Sequence, residues 1–213
     1  MNKKEKMKRI IRVLKKLYNT EHFLARNKFM LLIDTILSQR TRDENTAKAE
    51  ENLFSVVRSP EDILSLSLDR LEKLIKPSSM YRQKAKRIKA VSRIILEKYR
   101  GKVPKTREEL LALPGVGFKT ADIILSYGYG VPTIAVDTHV NRIPKRIGLV
   151  DEKTNVEGVR KELEAITPER DRFVVNHGLV RFGQNICKPI KPRCNICPIR
   201  GICRYYKVVR CSR

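Results

Sequence analysis

Four cysteines lie close together near the C-terminal end of the 213-residue chain, in an arrangement that could bind a metal centre. Cys187, Cys194, Cys197 and Cys203 are separated by six, two and five residues, and these intervals contain Lys, Arg, Pro and Gly rather than a continuous apolar core. Ligation by thiolates alone is typical of structural zinc and of iron–sulfur clusters. A zinc ribbon usually pairs two short Cys-x2-Cys knuckles, whereas this segment has one. The spacing therefore favours an iron–sulfur cluster and leaves zinc open.

A second chemical feature is the turn at 113–117, Leu-Pro-Gly-Val-Gly, which separates two predicted helices. Gly115 and Gly117 permit positive φ and let the backbone come close to another surface. The helix that follows begins with unpaired backbone amides, which bind phosphate oxygens well. The turn therefore predicts a helix-turn-helix geometry that can bind phosphate, although Gly-x-Gly alone is equally consistent with a simple tight connection.

Lys119 and Asp137 are candidates for covalent chemistry. Lys119 falls in the first turn of the helix after the glycine turn. A free lysine, with a pKa of about 10.4, is almost entirely protonated at neutral pH, so a nucleophilic lysine needs burial and nearby positive charge to lower that pKa. A simple phosphate contact is the alternative for Lys119. Asp137 precedes a helical pattern, which predicts an N-cap carboxylate that stays ionised.

These features together resemble the endonuclease III family of helix-hairpin-helix DNA glycosylases. The resemblance rests on the turn at 113–117 with Lys119 after it, on the segment 132–139 around Asp137, and on the 6-2-5 cysteine spacing. The three motifs follow the family's order, and the resemblance covers nearly the whole chain. It implies that the four cysteines bind a [4Fe–4S] cluster, while Cys211 matches no ligand position.

The resemblance also implies a role for each catalytic residue. In this family the lysine at the position of Lys119 attacks C1′ of the damaged nucleotide, expels the base as a Schiff base forms, and permits β-elimination of the 3′ phosphate. The aspartate at the position of Asp137 helps to activate the nucleophile and stabilises positive charge on the sugar. Gly115 and Gly117 would grip the DNA backbone, and carbonyls of the hairpin would hold a monovalent cation.

Further contacts are implied around a nucleotide flipped out of the duplex, because a base inside the stack cannot be reached. Gln39 lies where the family inserts a glutamine into the gap, and Met80 lies where relatives carry an apolar wedge. His139 and Asn141 are candidates for the base pocket.

The charge of the chain indicates a polyanionic partner. There are 46 Lys and Arg against 23 Asp and Glu, which gives a formal net charge of +23. Such an excess is typical of proteins that bind nucleic acid or an anionic membrane. Lys191 and Arg193, in the longest loop between the cysteines, are expected to contact phosphates. Residues 1–18 predict a basic amphipathic helix, which either packs on the protein or lies on a membrane surface.

The chain lacks the signals of a membrane or secreted protein. It has no run of about 18 apolar residues, and its N-terminal segment lacks the uninterrupted apolar stretch of a secretory signal. We therefore expect a cytoplasmic protein with no membrane partner, whose cysteines stay free of structural disulfides. We also expect a monomer.

The resemblance implies a bifunctional DNA glycosylase and AP lyase that removes oxidised pyrimidines from double-stranded DNA and acts at abasic sites. The nearest alternative is a mismatch-specific glycosylase of the same superfamily, which acts on thymine or uracil opposite guanine. Monofunctional relatives typically replace the lysine, so Lys119 argues against them. A non-catalytic DNA-binding iron–sulfur protein would need only the basic excess and the cysteines, and the pairing of Lys119 with Asp137 argues against it.

Helical periodicity recurs along the chain and alternating strand patterns are nearly absent, so we predict an all-α fold. Ser59 followed by Pro60 predicts a helix start, and Thr106 with Glu109 predicts a capping box. The predicted helices span about 3–18, 28–38, 43–57, 60–66, 69–75, 81–99, 106–112, 118–127, 138–147, 155–166 and 171–183.

The resemblance implies two domains. A six-helix domain at 20–131 would bear the hairpin, and 1–19 with 132–213 would form the cluster domain. The cleft between them would bring Lys119 toward Asp137.

Overall fold

The structure of the protein is a computed structural model that describes residues 1–19 and 24–211. Over these residues it is helical and contains no β-strand, so the predicted all-α fold is confirmed. The chain divides into two compact units, a central unit of Leu24–Gly130 and a terminal unit of Met1–Phe23 with Val131–Arg213. DNA binding by the domain that bears the hairpin and cluster binding by the other domain stay predictions.

The central unit is built from amphipathic helices around one apolar core. Its helices are α2 (Lys28–Leu37), α3 (Asp43–Phe54), α4 (Pro60–Ser65), α5 (Leu68–Leu74), α6 (Tyr81–Tyr99), α7 (Arg107–Leu111) and α8 (Phe118–Ile123). The chain continues from α8 as a π-helical turn, Ile124–Gly128, where the sequence predicts an ordinary α-helix to residue 127. Ile33, Leu53 and Ile88 are fully buried in the core.

Local capping chemistry sets two of these helix starts. Ser59 caps α4, because its hydroxyl accepts from the Asp62 amide at 3.3 Å while the Asp62 carboxylate accepts from the Ser59 amide at 3.0 Å, and Pro60 takes the first position as predicted. Thr106 caps α7 by accepting from the Glu109 amide at 3.3 Å. The other half of the predicted box differs, because the Thr106 hydroxyl donates to the Glu109 carboxylate at 2.8 Å.

The terminal unit joins the two ends of the sequence in one core. Its helices are α1 (Lys3–Leu17), α9 (Thr138–Ile147), α10 (Val156–Ile166), α11 (Arg172–Asn185) and α12 (Arg204–Cys211). The sequence did not predict α12. No helix in the described part of the chain is long and apolar enough to cross a membrane.

The first helix packs on the terminal unit through its apolar face. Leu14 lies so close to Gly178 on α11 that a Cβ there would be 2.9 Å from the leucine side chain. This close approach needs glycine at position 178. Leu17, the last residue of α1, is 43% exposed. The residues of α1 that the core buries are Met7, Ile10, Ile11 and Leu14.

Candidate active site and cysteine centre

The glycine turn joins α7 to α8 in the central unit and is exposed. Gly115 has a φ of +78°, in the left-handed region that favours glycine, and a Cβ there would lie 2.9 Å from the Arg87 side chain. Gly117 has a φ of −100°, so it does not use the positive φ that glycine permits. Apart from its chain neighbours, no described atom lies within 4 Å of its missing Cβ. The backbone at Gly117 is therefore open to a close approach from outside.

Gln39, which follows α2, contacts this turn. Its side-chain amide donates to the Gly115 carbonyl at 2.9 Å and lies 3.4 Å from the Thr120 hydroxyl. The amide thus holds the turn from within the central unit, a contact that no local sequence pattern indicates. The neighbouring Arg40 is exposed, with a φ of +54°. Insertion of Gln39 into DNA stays a prediction, and it would require the amide to leave Gly115.

Lys84 on α6 anchors the chain that carries Gln39. Lys84 is 2% exposed, and its ammonium donates to the carbonyls of Leu37 and Gln39, both at 2.7 Å. It also donates to the hydroxyls of Thr41 and Ser78, both at 2.8 Å. A buried ammonium needs such hydrogen bonds, since an unpaired one would be very unfavourable. Lys84 therefore ties the segment after α2 to the segment before α6.

Met80 lies at the second of these segments. It is the N-cap of α6, is 47% exposed, and has a φ of +57°, which is unusual for a residue other than glycine. Ser78, two residues earlier, accepts from the Lys84 ammonium. The same buried cation thus supports the two segments that carry Gln39 and Met80. The wedge role of Met80 stays a prediction.

A buried ion pair fixes α7 to α8 on either side of the turn. The Arg107 guanidinium donates to both carboxylate oxygens of Asp122, at 2.9 and 3.1 Å. The Asp122 side chain is 2% exposed, so the pair is shielded from water. The same guanidinium lies over the Phe118 ring, 4.9 Å from its centroid. These contacts hold the residue that directly precedes Lys119.

Lys119 occupies the first turn of α8 and is exposed. The predicted burial of the Lys119 side chain is therefore wrong for the protein without a bound partner. Within the described residues its ammonium makes no hydrogen bond and no ion pair. The side chain is consequently free to meet a ligand that approaches the turn.

Asp137 caps α9, as predicted. One oxygen, Oδ1, accepts from the backbone amides of His139 at 2.9 Å and Val140 at 2.8 Å. Oδ2 makes no hydrogen bond to any described residue. The cap therefore orients the carboxylate and leaves one oxygen available.

His139 and Asn141 follow Asp137 on α9. The His139 ring packs so tightly on Gly183 of α11 that a Cβ at that glycine would collide with it. The Arg142 guanidinium lies 3.1 Å from His139 Nδ1. His139 thus has a packing role in the terminal unit, while the Asn141 Oδ1 is buried without a partner in the described chain. Their role in a base pocket stays a prediction.

The four predicted ligand cysteines line one pocket in the terminal unit. Cys187, Cys194, Cys197 and Cys203 are half-buried free thiols, so no disulfide joins them. The side chain of Cys211 lies outside the described part of the chain. The pocket wall is otherwise largely apolar, with side chains from α9, α11 and the C-terminal segment, including Ile143, Phe182, Ile186 and Ile199.

Two arginines of α9 hold the start of the cysteine segment. Arg142 donates to the Cys187 carbonyl at 2.9 Å, and Arg146 lies 3.6 Å from the Cys187 sulfur. Arg146 also donates to the carbonyls of Lys188 and Pro189, both at 2.7 Å. No motif in the sequence predicts either arginine. Their one local signal is their spacing of four residues on the helix that Asp137 caps.

Burial raises the pKa of three of the four thiols. It raises the pKa of Cys197 to about 11, and the neighbouring cysteines act in the same direction. Burial likewise raises the pKa of Cys194 and Cys203. These three thiols therefore stay protonated unless a bound metal ionises them, which is the usual effect of metal coordination.

The longest loop between the cysteines projects basic side chains into solvent. Lys191 is exposed with a φ of +49°, and Arg193 is exposed beside it. The Arg193 amide donates to the Ile186 carbonyl at 2.9 Å, which closes the base of the loop. Ile190 at its tip is 81% exposed.

Comparison with known proteins identifies the family. The profile described as HhH-GPD superfamily base excision DNA repair protein matches residues 33–169. Endonuclease III of Thermotoga maritima is 49% identical over 179 residues, which cover 84% of each chain. Endonuclease III of Bacillus subtilis is 43% identical over 178 residues, which cover 84% of this chain and 81% of the relative.

Solved structures agree with the sequence relatives. A trapped endonuclease III–DNA covalent intermediate has a TM-score of 0.89 at 36% identity and covers 99% of this chain and 100% of its own. A thermostable thymine-DNA glycosylase has a TM-score of 0.88 at 28% identity and covers 96% and 98%. The chain belongs to the endonuclease III family within the HhH-GPD superfamily of base-excision DNA repair proteins.

Proposed function

We propose that this protein is a bifunctional DNA glycosylase and AP lyase of base-excision repair. It removes oxidised pyrimidines from double-stranded DNA and cuts the strand at the resulting abasic site. The observation that carries the proposal is the exposed amine of Lys119, which has no partner in the described chain and stands at the start of the helix after the glycine turn.

Lys119 supplies the nucleophile. Its amine nitrogen bonds to C1′ while the bond from C1′ to the base breaks, and the base leaves with the electron pair and takes up a proton. The lysine nitrogen then loses a proton, and its electron pair forms the C=N bond of the Schiff base while the bond from C1′ to O4′ breaks and O4′ takes up a proton. Removal of a C2′ proton then breaks the bond from C3′ to oxygen, and the 3′ phosphate leaves. Because Lys119 is exposed, the DNA itself must exclude water from the amine.

Asp137 supplies the negative charge. Two backbone amides hold its Oδ1, so the carboxylate is oriented. The free Oδ2 can accept a proton from the amine or face the positive charge that develops on the sugar. A capping role and a catalytic role are therefore compatible in one side chain.

DNA contacts come from several exposed backbone and basic groups. The open backbone at Gly117 and the first amides of α8 suit phosphate oxygens, and Gly115 shapes the turn. Lys191 and Arg193 are exposed cations that suit further phosphates. We propose that Gln39 fills the gap left by the flipped nucleotide. A monovalent cation bound by hairpin carbonyls belongs to the same proposal.

The four cysteines suit a [4Fe–4S] cluster. They line one pocket whose wall is otherwise largely apolar. Ligation by thiolates alone is typical of iron–sulfur clusters and of structural zinc, and the single Cys-x2-Cys knuckle in the 6-2-5 spacing favours the cluster. Such a cluster would hold the C-terminal segment in its folded form. A cytoplasmic, monomeric protein is part of the proposal.

Borohydride trapping tests the lysine chemistry. The full-length protein, incubated with a thymine glycol duplex and borohydride, is expected to form a covalent adduct, because the reagent reduces the Schiff base. Lys119→Ala is expected to lose the adduct and to lower base release by a factor of about 1,000 or more. Base release by the wild type without any adduct would contradict the proposal and indicate a monofunctional glycosylase.

The variant Asp137→Asn tests the charge of the carboxylate while it keeps the helix cap. Asparagine caps helices as well as aspartate does, so the helix start and the stability are retained. Loss of the charge is expected to slow trapping by a factor of about 100 to 10,000. A variant that traps as fast as the wild type would limit Asp137 to its structural role.

A mismatch-specific glycosylase is the second candidate, because the similar thymine-DNA glycosylase structure covers almost the whole chain. The same trapping assay on a G:T duplex separates the two. Faster release of thymine from the mismatch than of thymine glycol would favour this second function.

A further inference from the structure

The outer face of α1 carries a line of positive charge that the proposed catalytic site does not use. Lys4, Lys8, Arg12 and Lys16 follow one another at intervals of four residues and are all exposed. Residues four apart lie on the same face of a helix, so these four cations form a stripe about 18 Å long. We call these four residues the α1 stripe.

Lys3 and Lys15 of the same helix have ion-pair partners, but the α1 stripe does not. Lys3 pairs with Glu162 at 3.0 Å, and Lys15 pairs with Asp171 at 2.7 Å. Glu5 is the one acidic residue of α1, and its carboxylate accepts from the Asn2 amide at the helix start. Within the described residues no member of the α1 stripe makes an ion pair.

Like charges four residues apart destabilise a helix. The α1 stripe places three such pairs in succession, in a protein that already has a net charge of +23. Binding to a polyanion neutralises these charges and removes the repulsion. The stripe is therefore suited to a partner with a regular row of negative charges.

The packing of α1 decides between the two kinds of polyanion. A helix that lies on a membrane must insert its apolar face into the bilayer. Met7 and Leu14, on the apolar face of α1, are 0% and 1% exposed because they belong to the core of the terminal unit. The core thus occupies the apolar face of α1 except at Leu17, the last residue of the helix, and the accessible face is mainly charged.

We propose that the α1 stripe binds the phosphate backbone of DNA, as a second contact in addition to the glycine turn. This inference rests on the proposed function, which identifies the polyanion as DNA. Because the stripe contacts phosphates and no base, it adds affinity without selecting a lesion. Its effect is therefore on binding and on salt dependence, and not on the chemical step.

Neutralisation of the stripe tests this proposal. The variant Lys4→Gln/Lys8→Gln/Arg12→Gln/Lys16→Gln removes four charges, and glutamine preserves the helix propensity of lysine and arginine. Loss of four phosphate contacts is expected to make the slope of log affinity against log salt less steep by about 3.6. Affinity for an undamaged duplex of about 30 base pairs is expected to fall by a factor of about ten or more at low salt.

A charge-matched control distinguishes a defined surface from net charge. Lys48, Lys76, Lys102 and Lys161 are exposed lysines on different segments of the chain. Their replacement by glutamine changes the net charge equally but removes no row of cations. An equal loss of affinity in this control, or an unchanged slope in the stripe variant, would overturn the proposal.

Two further measurements complete the test. Single-turnover excision at saturating enzyme is expected to be the same in the stripe variant and the wild type, and slower excision in the variant would contradict a contact that acts on binding alone. Binding to vesicles of phosphatidylserine and phosphatidylcholine is expected to be weak in both proteins, and strong binding lost in the variant would overturn the proposal in favour of a membrane. If the wild type excises no base while the stripe variant still loses affinity for DNA, the proposed function fails and the stripe proposal stands.

Discussion

Two lysines of the central unit have opposite surroundings. Lys84 holds the loop that carries Gln39, and Lys119 lies at the start of α8. Lys84 is 2% exposed, and four oxygens at 2.7 to 2.8 Å surround its ammonium. Lys119 is exposed, and its ammonium has no hydrogen-bond partner among the described residues. The Lys84 ammonium is therefore occupied by hydrogen bonds within the protein, whereas the Lys119 ammonium is free to contact a ligand.

The contrast shows that a low pKa does not by itself identify a nucleophilic lysine. Burial lowers the pKa of Lys84 to about 8, and the charge of Arg87 acts in the same direction. A search for a lysine that is neutral near physiological pH would select Lys84. Yet its nitrogen is enclosed by protein oxygens, so no substrate carbon can reach it. Access and the absence of partners are what distinguish Lys119.

The largest expected effect comes from replacing each lysine by methionine. Lys84→Met removes the cost of burying an ammonium but also removes its hydrogen bonds to four oxygens, so we expect the free energy of unfolding to fall by about 1 to 3 kcal/mol. Lys119→Met removes no hydrogen bond or ion pair to a described residue, so we expect a change within about 0.5 kcal/mol. Urea unfolding followed by circular dichroism measures both.

In borohydride trapping the two variants are expected to rank in the opposite order. Lys119→Met is expected to abolish borohydride trapping, whereas Lys84→Met is expected to retain the adduct at temperatures where it stays folded. If the folded Lys84→Met protein formed no adduct while Lys119→Met still trapped DNA, the assignments of the two lysines would have to be exchanged.

Features set by neighbouring residues could be predicted from the sequence. The N-caps Ser59 and Asp137 are examples, because the bonds that define them join residues two or three apart. The cysteine spacing is equally local, and it led to four thiols that line one pocket. The all-α class follows from periodicities of three and four residues.

Features set by distant residues could not be predicted. Lys84 binds the Leu37 carbonyl across 47 residues, and nothing near it in a chain of 46 lysines and arginines distinguishes it. Gln39 reaches Gly115 across 76 residues in the same way. The burial expected at Lys119 was wrong because a sequence pattern near a helix start does not say what covers a side chain.

Chemical modification of amines sharpens the comparison further. Reductive methylation, read by mass spectrometry, is expected to modify Lys119 at the rate of other exposed lysines. Lys84 reacts only when the central unit opens, so its rate is expected to be lower by a factor of about 100. A saturating thymine glycol duplex is expected to protect Lys119 and to leave Lys84 unchanged. Modification of Lys84 as fast as Lys119 would show that the loop around it opens readily.

The smallest effect is the dependence of stability on pH. The pKa of Lys84 falls from 10.5 to about 8 on folding, so between these values the unfolded chain binds more protons than the folded one. Stability then rises with pH, at most by about 1.4 kcal/mol per pH unit. We expect the difference in unfolding free energy between wild type and Lys84→Met to grow by about 1 to 2 kcal/mol from about pH 8 to about pH 9.5. Taking this difference cancels the titration of the other groups. A constant difference would mean that the four oxygens restore the ordinary pKa of Lys84, and then enclosure alone would separate it from Lys119.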